Sequence, residues 1–325
     1  FPSADYKELN AAANPSYVNS DKYDVRVASF LSRVNYSYDN RYMFSASFRQ
    51  DGSSRFAKDN RYASFWSVGG QWKITSEEFM KPTAGWFTYL ALRMSYGTAG
   101  NSDIKSRSTA PVLDGRYPSM GIYRPGANYN GVSGIYPYQI ENKNLKWERS
   151  ESFNVGVDYS MFNNRINGTI EFYNKDTKDL LLARNVSSTT GFTAAMQNVG
   201  SIRNRGIEFS INAVPVSSKD FQWNVSFNIS HNKNTVLELY NGQEEINGTR
   251  ILKEGEDFQS IYTYKWAGVD SEDGNPMWYA ADGSKVKDYT NAQKSIVGSA
   301  SSDFFGSLTN SFKYKNFDIS AMLYF

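Results

Sequence analysis

The chain of 325 residues has no cysteine, which excludes disulfides and any thiolate metal site. It has one histidine, His231. A lone His without a Cys or a second His makes no zinc site, and no Ser-x-Gly elbow accompanies it. No GxGxxG or GK[ST] phosphate loop occurs. Neither sign of charge dominates: 35 basic residues face 33 acidic ones, for a net charge of +2. No basic stripe is present, so nucleic acid is not an expected partner. No apolar run is long enough to read as a membrane-spanning helix. Asp270-Ser271-Glu272-Asp273-Gly274-Asn275 superficially suggests calcium, but it lacks the EF-hand spacing and a closing Glu. It reads as an acidic turn. The expectation is a chain with no catalytic set, no cofactor and no metal.

What is present is aromatic and alternating. Phe, Trp and Tyr make up 16% of the chain, a composition that favours β structure and membrane-interface belts. Along residues 153–161, Phe153, Val155, Val157, Tyr159 and Met161 alternate with Asn154, Gly156, Asp158 and Ser160. Along 222–230, Trp223, Val225, Phe227 and Ile229 alternate with Gln222, Asn224, Ser226, Asn228 and Ser230. Successive strand side chains point to opposite faces, so each stretch has one apolar and one wet side. Lipid outside and water inside a large barrel supplies both solvents.

Ten such strands are expected, over 24–38, 40–51, 62–75, 87–98, 147–160, 165–177, 197–214, 221–233, 303–314 and 316–325. Tight turns at 38–41, 162–165, 216–220 and 314–316 alternate with longer connections at 52–61, 99–146, 178–196 and 234–302. The link 76–86 joins the short side, with Ser76 expected to cap a helical turn. Short turns at one end and long loops at the other follow the outer-membrane barrel plan. Aromatics crowd the short-turn end: Tyr36, Tyr38, Tyr42, Trp86, Phe87, Tyr89, Tyr159, Phe162, Phe221, Trp223, Phe312, Tyr314 and Phe317. Rings with a polar tip suit a membrane–water boundary. Segments 261–266 and 276–279 read either as a hairpin above the wall or as two further wall strands. Phe1-Pro2-Ser3-Ala4-Asp5 is not a signal peptide, and the last residues alternate up to Phe325, so the chain reads as part of something longer.

The polar faces carry Arg33, Arg49, Lys73, Arg93, Glu171 and Glu208. In a barrel these line a lumen; in a soluble sandwich they face solvent. Period two alone does not choose between the two. Loop 99–146 is rich in rings and guanidinium groups: Tyr117, Tyr123, Tyr129, Tyr136 and Tyr138 with Arg107, Arg116 and Arg124. Such residues make good contacts with rigid polar ligands or protein partners, or pack upon one another. A glycosidase needs two carboxylates across a cleft, and Glu171 and Glu208 can be nominated. Wall charges explain them more simply.

Several motifs, in order, resemble those of the SusC/RagA-type TonB-dependent outer-membrane transporters. They are Asp51-Gly52-Ser53-Ser54-Arg55-Phe56, Leu92-Arg93-Met94-Ser95-Tyr96-Gly97, Asn144-Leu145-Lys146-Trp147-Glu148, Asn198-Val199-Gly200, Asn204-Arg205-Gly206-Ile207-Glu208 and Asp303-Phe304-Phe305-Gly306. Lys143 and Phe65-Trp66-Ser67 depart from the usual pattern at single sites. The resemblance implies an all-β, antiparallel transmembrane barrel domain over 1–325, about ten strands of a 22-stranded whole, without the family's plug. It implies active import of an oligosaccharide or peptide, TonB as energy source through a segment outside this chain, a SusD-like surface lipoprotein as partner, and outer-membrane lipid around the wall. It implies no enzyme. The competing reading is a soluble extracellular β-rich module that binds glycans.

Overall fold

The computed structural model describes residues 22–103 and 116–325; the chain's first residues and Arg107 lie outside them. Ten strands form one antiparallel sheet, each paired with its neighbour in sequence. They are β1 (Val27–Tyr38), β2 (Tyr42–Ser53), β3 (Tyr62–Lys73), β4 (Phe87–Asn101), β5 (Glu148–Met161), β6 (Ile166–Lys178), β7 (Ser201–Ser217), β8 (Phe221–Glu238), β9 (Phe304–Tyr314) and β10 (Phe317–Tyr324). All ten expected strands are present. β4 and β8 run further toward the long loops than expected, to Asn101 and Glu238, whereas β7 begins later, at Ser201.

Tight turns set the registers. Asp39 and Asn40 sit at φ 52° and 50°, the left-handed turn geometry that matches the twist of paired strands. Arg41 N–H closes that turn on the Tyr38 carbonyl at 3.0 Å, and β1 and β2 pair without a slip from Tyr38↔Tyr42 to Val27↔Ser53. Phe162, Asn163, Asn164 and Lys315 take the same backbone region at two further turns on that end. The link between β3 and β4 is two short 3-10 turns, Ile74–Ser76 and Glu78–Thr83. The second is entered through Glu77 with no side-chain cap, so the expected Ser76 cap is not made. Glu77 does other work. Its carboxylate accepts from Tyr42 Oη at 2.7 Å, Trp72 Nε1 at 2.9 Å and Arg41 at 3.1 Å. These charge-assisted bonds, Tyr42 first, hold the Glu77 carboxyl below its ordinary range.

The two faces differ as the alternation requires. On the polar face, hydroxyls and amides bond across strands: Ser47 to Ser67 at 2.7 Å, Thr169 to Ser210 at 2.9 Å, Ser226 to Asn212 at 2.8 Å and Asn228 to Ser307 at 2.7 Å. The other face carries Phe30, Phe48, Met94, Ile170 and Ile207, all exposed. A sandwich would bury that face against a second sheet. Among the described residues no layer covers it, and the one sizeable buried apolar cluster lies elsewhere, at the loop bases. Exposed phenylalanine and isoleucine along ten strands call for lipid. At some strand glycines an aromatic ring covers the backbone: Tyr159 lies over Gly168 and Tyr62 over Gly52, positions where an added Cβ would strike the ring.

The girdle at the short-turn end forms with one exception. Trp86 packs on Phe162 with centroids 6.4 Å apart, and Phe312 stacks between Phe221 at 6.4 Å and Trp223 at 5.8 Å. Tyr89 shares the polar face of Ala91 and Arg93, where its hydroxyl meets Gln71 and its ring faces Lys73, and a register shift between it and Phe87 puts Phe87 on the apolar face opposite Met161. The segments 261–266 and 276–279 are not wall strands. Strand 260–264 pairs with 294–299 in a small separate sheet, 266–269 pairs with 276–279 in another, and β8 pairs directly with β9. His231 lies on the apolar face, its ring 4.9 Å from Phe304 and its Nδ1 bonded to the Asp303 carbonyl at 2.6 Å.

Candidate functional site

Two regions carry the side chains with chemistry: the polar face of the wall and the loops at its long end. On the wall, Arg93 is the centre. Its Nε meets Asp158 at 2.7 Å and its Nη2 meets Glu171 at 3.0 Å. The three come from β4, β5 and β6, adjacent strands whose register places Arg93 beside Gly156 and Gly156 beside Glu171. Glycine at 156 leaves room for the guanidinium: an added Cβ would sit 3.1 Å from Arg93 Nη2. Glu171 also stands directly opposite Glu208 of β7. Like charges facing across a pair destabilise it, and the Arg93 fork offsets this for Glu171. Two carboxylates on neighbouring strands of one wall, one already ion-paired, do not flank a cleft as glycoside hydrolysis needs.

Arg33, Ser45, Gln71, Arg93, Asn154 and Glu171 line one hollow of about 550 Å³ on the polar face. Arg49 lies nearer the loops, held by Asp51 at 2.6 Å and Ser29 at 3.4 Å, and lines a second hollow of about 380 Å³. Arg33 donates to Asn35 at 3.2 Å. The structure therefore brings Arg33, Arg93 and Glu171 together, with Glu208 one strand on, and sets Arg49 apart. Asp158, the shorter of the two Arg93 partners, was not singled out from sequence, although it sits on the polar side of the β5 alternation.

Of the loop residues, Tyr123, Tyr129 and Tyr136 are exposed, Tyr129 at 84%. Tyr123 and Tyr136 lie on a short hairpin, 122–125 with 135–139. Arg124 stacks on Tyr138 at 3.4 Å from the ring centroid, and the Tyr117 hydroxyl accepts the Asp24 N–H at 2.7 Å. Tyr117, Arg124 and Tyr138 thus have partners within the chain, whereas Tyr129 stands clear. A second aromatic group, missed from sequence as a unit, crowns loop 234–302. Trp278 packs edge-on to Trp266 at 6.0 Å and to Tyr289 at 6.2 Å, and Tyr289 to Tyr264 at 5.7 Å. Below these loops the family-like motifs converge. Phe56 packs on Trp147 at 5.3 Å, with Phe65, Leu145, Leu181 and Met196 completing a buried cluster. Trp147 Nε1 donates to the Arg61 carbonyl at 3.0 Å, and Glu148 accepts the Leu181 N–H at 3.3 Å. These motifs hold loop bases together.

Residues 2–321 match the family described as TonB dependent receptor-like, beta-barrel. The chain is 32% identical, over 97% of its length, to TonB-dependent receptor P3 of Formosa agariphila, covering 33% of that protein. It is 36% identical, over 91% of its length, to TonB-dependent receptor SusC of Bacteroides thetaiotaomicron, covering 31% of it. Among solved structures it resembles the RagAB peptide importer in the closed-closed state, with a TM-score of 0.81 and 30% identity over 92% of this chain and 33% of that one. The chain spans about a third of the length of these relatives. With one wet face, one exposed apolar face and this match along nearly its whole length, the chain belongs to the TonB-dependent receptor β-barrel family of the outer membrane.

Proposed function

We propose that the protein containing this wall imports a large polar nutrient, an oligosaccharide or a peptide, across the bacterial outer membrane. The observation that carries the reading is the wall itself: a continuous wet face, crossed by hydrogen bonds and lined by Arg33, Arg49, Arg93, Glu171 and Glu208, behind an apolar face. The likeness to SusC and to a peptide importer supports it. In this reading TonB supplies the energy through a segment outside this chain, and a SusD-like surface lipoprotein closes the outer mouth. Loops 99–146 and 234–302 face outward. Tyr123, Tyr129 and Tyr136, exposed, contact substrate or that partner. Tyr117, Arg124 and Tyr138 shape the hairpin that presents them.

The test is sidedness with uptake, in the full-length protein on whole cells. An impermeant thiol reagent labels Tyr123→Cys and spares Asn164→Cys. Removing part of 116–138 leaves the wall assembled, because surface loops contribute little to stability, yet lowers uptake or partner binding. Labelling of position 164 alone, or uptake unchanged by the deletion, refutes the assignment.

A further inference from the structure

The lipid-facing side of the wall does not stay apolar to the loops. At the long-loop end of β5 to β8, the row Met94–Val155–Phe172–Ile207–His231 gives way, one residue pair higher, to Asn174, Arg205 and Lys233. Above that come Glu151, Asp176 and Arg203, then Arg149 and Lys178. All share the face of Ile207, which is 53% exposed. Five cations therefore stand against three carboxylates, the third being Glu238, opposite Ser201 in the row of Arg149 and Lys178 at the loop end. The two nearest Arg205 are taken: Asp176 holds Arg203 through two bonds of 2.7 Å, and Glu151 meets Lys178 at 3.0 Å with Arg149 at 3.9 Å. Arg205 and Lys233 remain, exposed and directly opposite each other in the β7–β8 pair. Neither is in an ion pair among the described residues.

Two cations facing across a strand pair cost stability unless an anion lies between them. On a solvent face water and salt would screen them. Here they sit about 5 Å above an isoleucine that faces hydrocarbon, given about 3.3 Å per residue and a wall strand's tilt. That is the depth at which long basic side chains lay their stems on apolar surface and lift their heads to the lipid phosphates. We propose that Arg205 and Lys233, flanked by Arg203 and Lys178, bind the phosphate of an outer-leaflet lipid of the lipid A type and clamp that lipid to the β6–β8 wall. The proposal rests on the barrel reading and on the long loops facing outward.

The test uses the full-length protein purified in detergent, with bound lipid A measured by mass spectrometry, and then reconstituted in phosphatidylcholine vesicles with and without lipid A. Arg205→Gln/Lys233→Gln should retain about 30-fold less lipid A than wild type, at roughly a tenfold change per 1.4 kcal/mol and about 1 kcal/mol per cation near the lipid surface. Each single variant should lie between. Lys219→Gln/Lys315→Gln, the same charge loss at the short-turn end, should retain lipid A like wild type. Excess inorganic phosphate should leave the lipid bound. Equal retention in a double variant that inserts normally overturns this proposal alone. Displacement of lipid A by free phosphate overturns the lipid as ligand. Failure of the wild type to insert overturns the barrel reading and this proposal with it.

Discussion

An arginine placed on one face of this wall should cost far more than the same arginine one residue away. On β5 the lipid side runs from Phe153 to Met161, with Val157 at its centre and Val155 one pair above. Nine residues at about 3.4 Å each, tilted by about 40°, give an apolar band of about 20–25 Å, the height expected of a barrel. Val157→Arg sits at mid-depth and should cost about 2–4 kcal/mol; Val155→Arg, about 5 Å higher, should fall toward the lower figure. Phe227→Arg should cost at least as much, because it also removes ring contacts with Phe209 at 6.3 Å and Phe325 at 6.4 Å. On the wet face, Asn154→Arg loses a 3.3 Å bond to Ser95, and Ser226→Arg a 2.8 Å bond to Asn212. Each should cost only about 0.5–1.5 kcal/mol, since the new charge stays in water. The assay is urea-dependent folding of the full-length protein into vesicles, with equilibrium midpoints for all five variants. Equal costs on the two faces would refute the wall as a lipid–water boundary.

Two further outcomes are expected. In loop 234–302 the Lys287 ammonium, at 2.5 Å, together with the Asn275 amide, holds the Asp273 carboxyl down to about 2. A lowered carboxyl stabilises the loop fully above its ordinary value of about 3.9, and that contribution is lost as pH falls through about 2. The loop should therefore be indifferent to pH near neutrality. Lys287→Met should move the Asp273 midpoint upward in a carboxyl NMR titration, and an unmoved midpoint would break the assigned cause. Residues 1–325 expressed alone expose the free edges of β1 and β10, whose backbone groups lipid cannot satisfy. The product should aggregate or remain unfolded in detergent, and a monodisperse, cooperatively melting soluble protein would favour the glycan-binding module instead.

The wall was legible in the sequence because period-two alternation is a local property that needs no knowledge of partners. Phe227 and Asn228 declare opposite faces from their neighbours alone. What depends on register was not legible. That Arg93 reaches Asp158 as well as Glu171 follows from how β4, β5 and β6 are staggered, and a one-residue slip would separate them. Tyr89 was placed in the girdle because it follows Trp86 and Phe87, but a bulge beside Phe87 reverses the face between them. The motif residues Phe56 and Trp147 were recognisable as words without their meaning, since their contact joins positions 91 apart in the chain. The same holds for Arg205 and Lys233, each unremarkable until β7 and β8 are aligned.

The buried cluster under the loops has a consequence for how such a surface can diversify. Phe56, Leu145, Trp147, Leu181 and Met196 tie the bases of three connections into one knot. The hairpin 122–139 contributes no residue to it. A cassette cut inside that knot can be exchanged, lengthened or scrambled while the knot keeps its neighbours in place. A cut one step lower, through Leu145 or Trp147, would unseat the two other connections as well. Grafting a foreign recognition loop onto this scaffold should therefore splice between residues 121 and 140, and inheritance of new specificities among relatives has the same seam available to it.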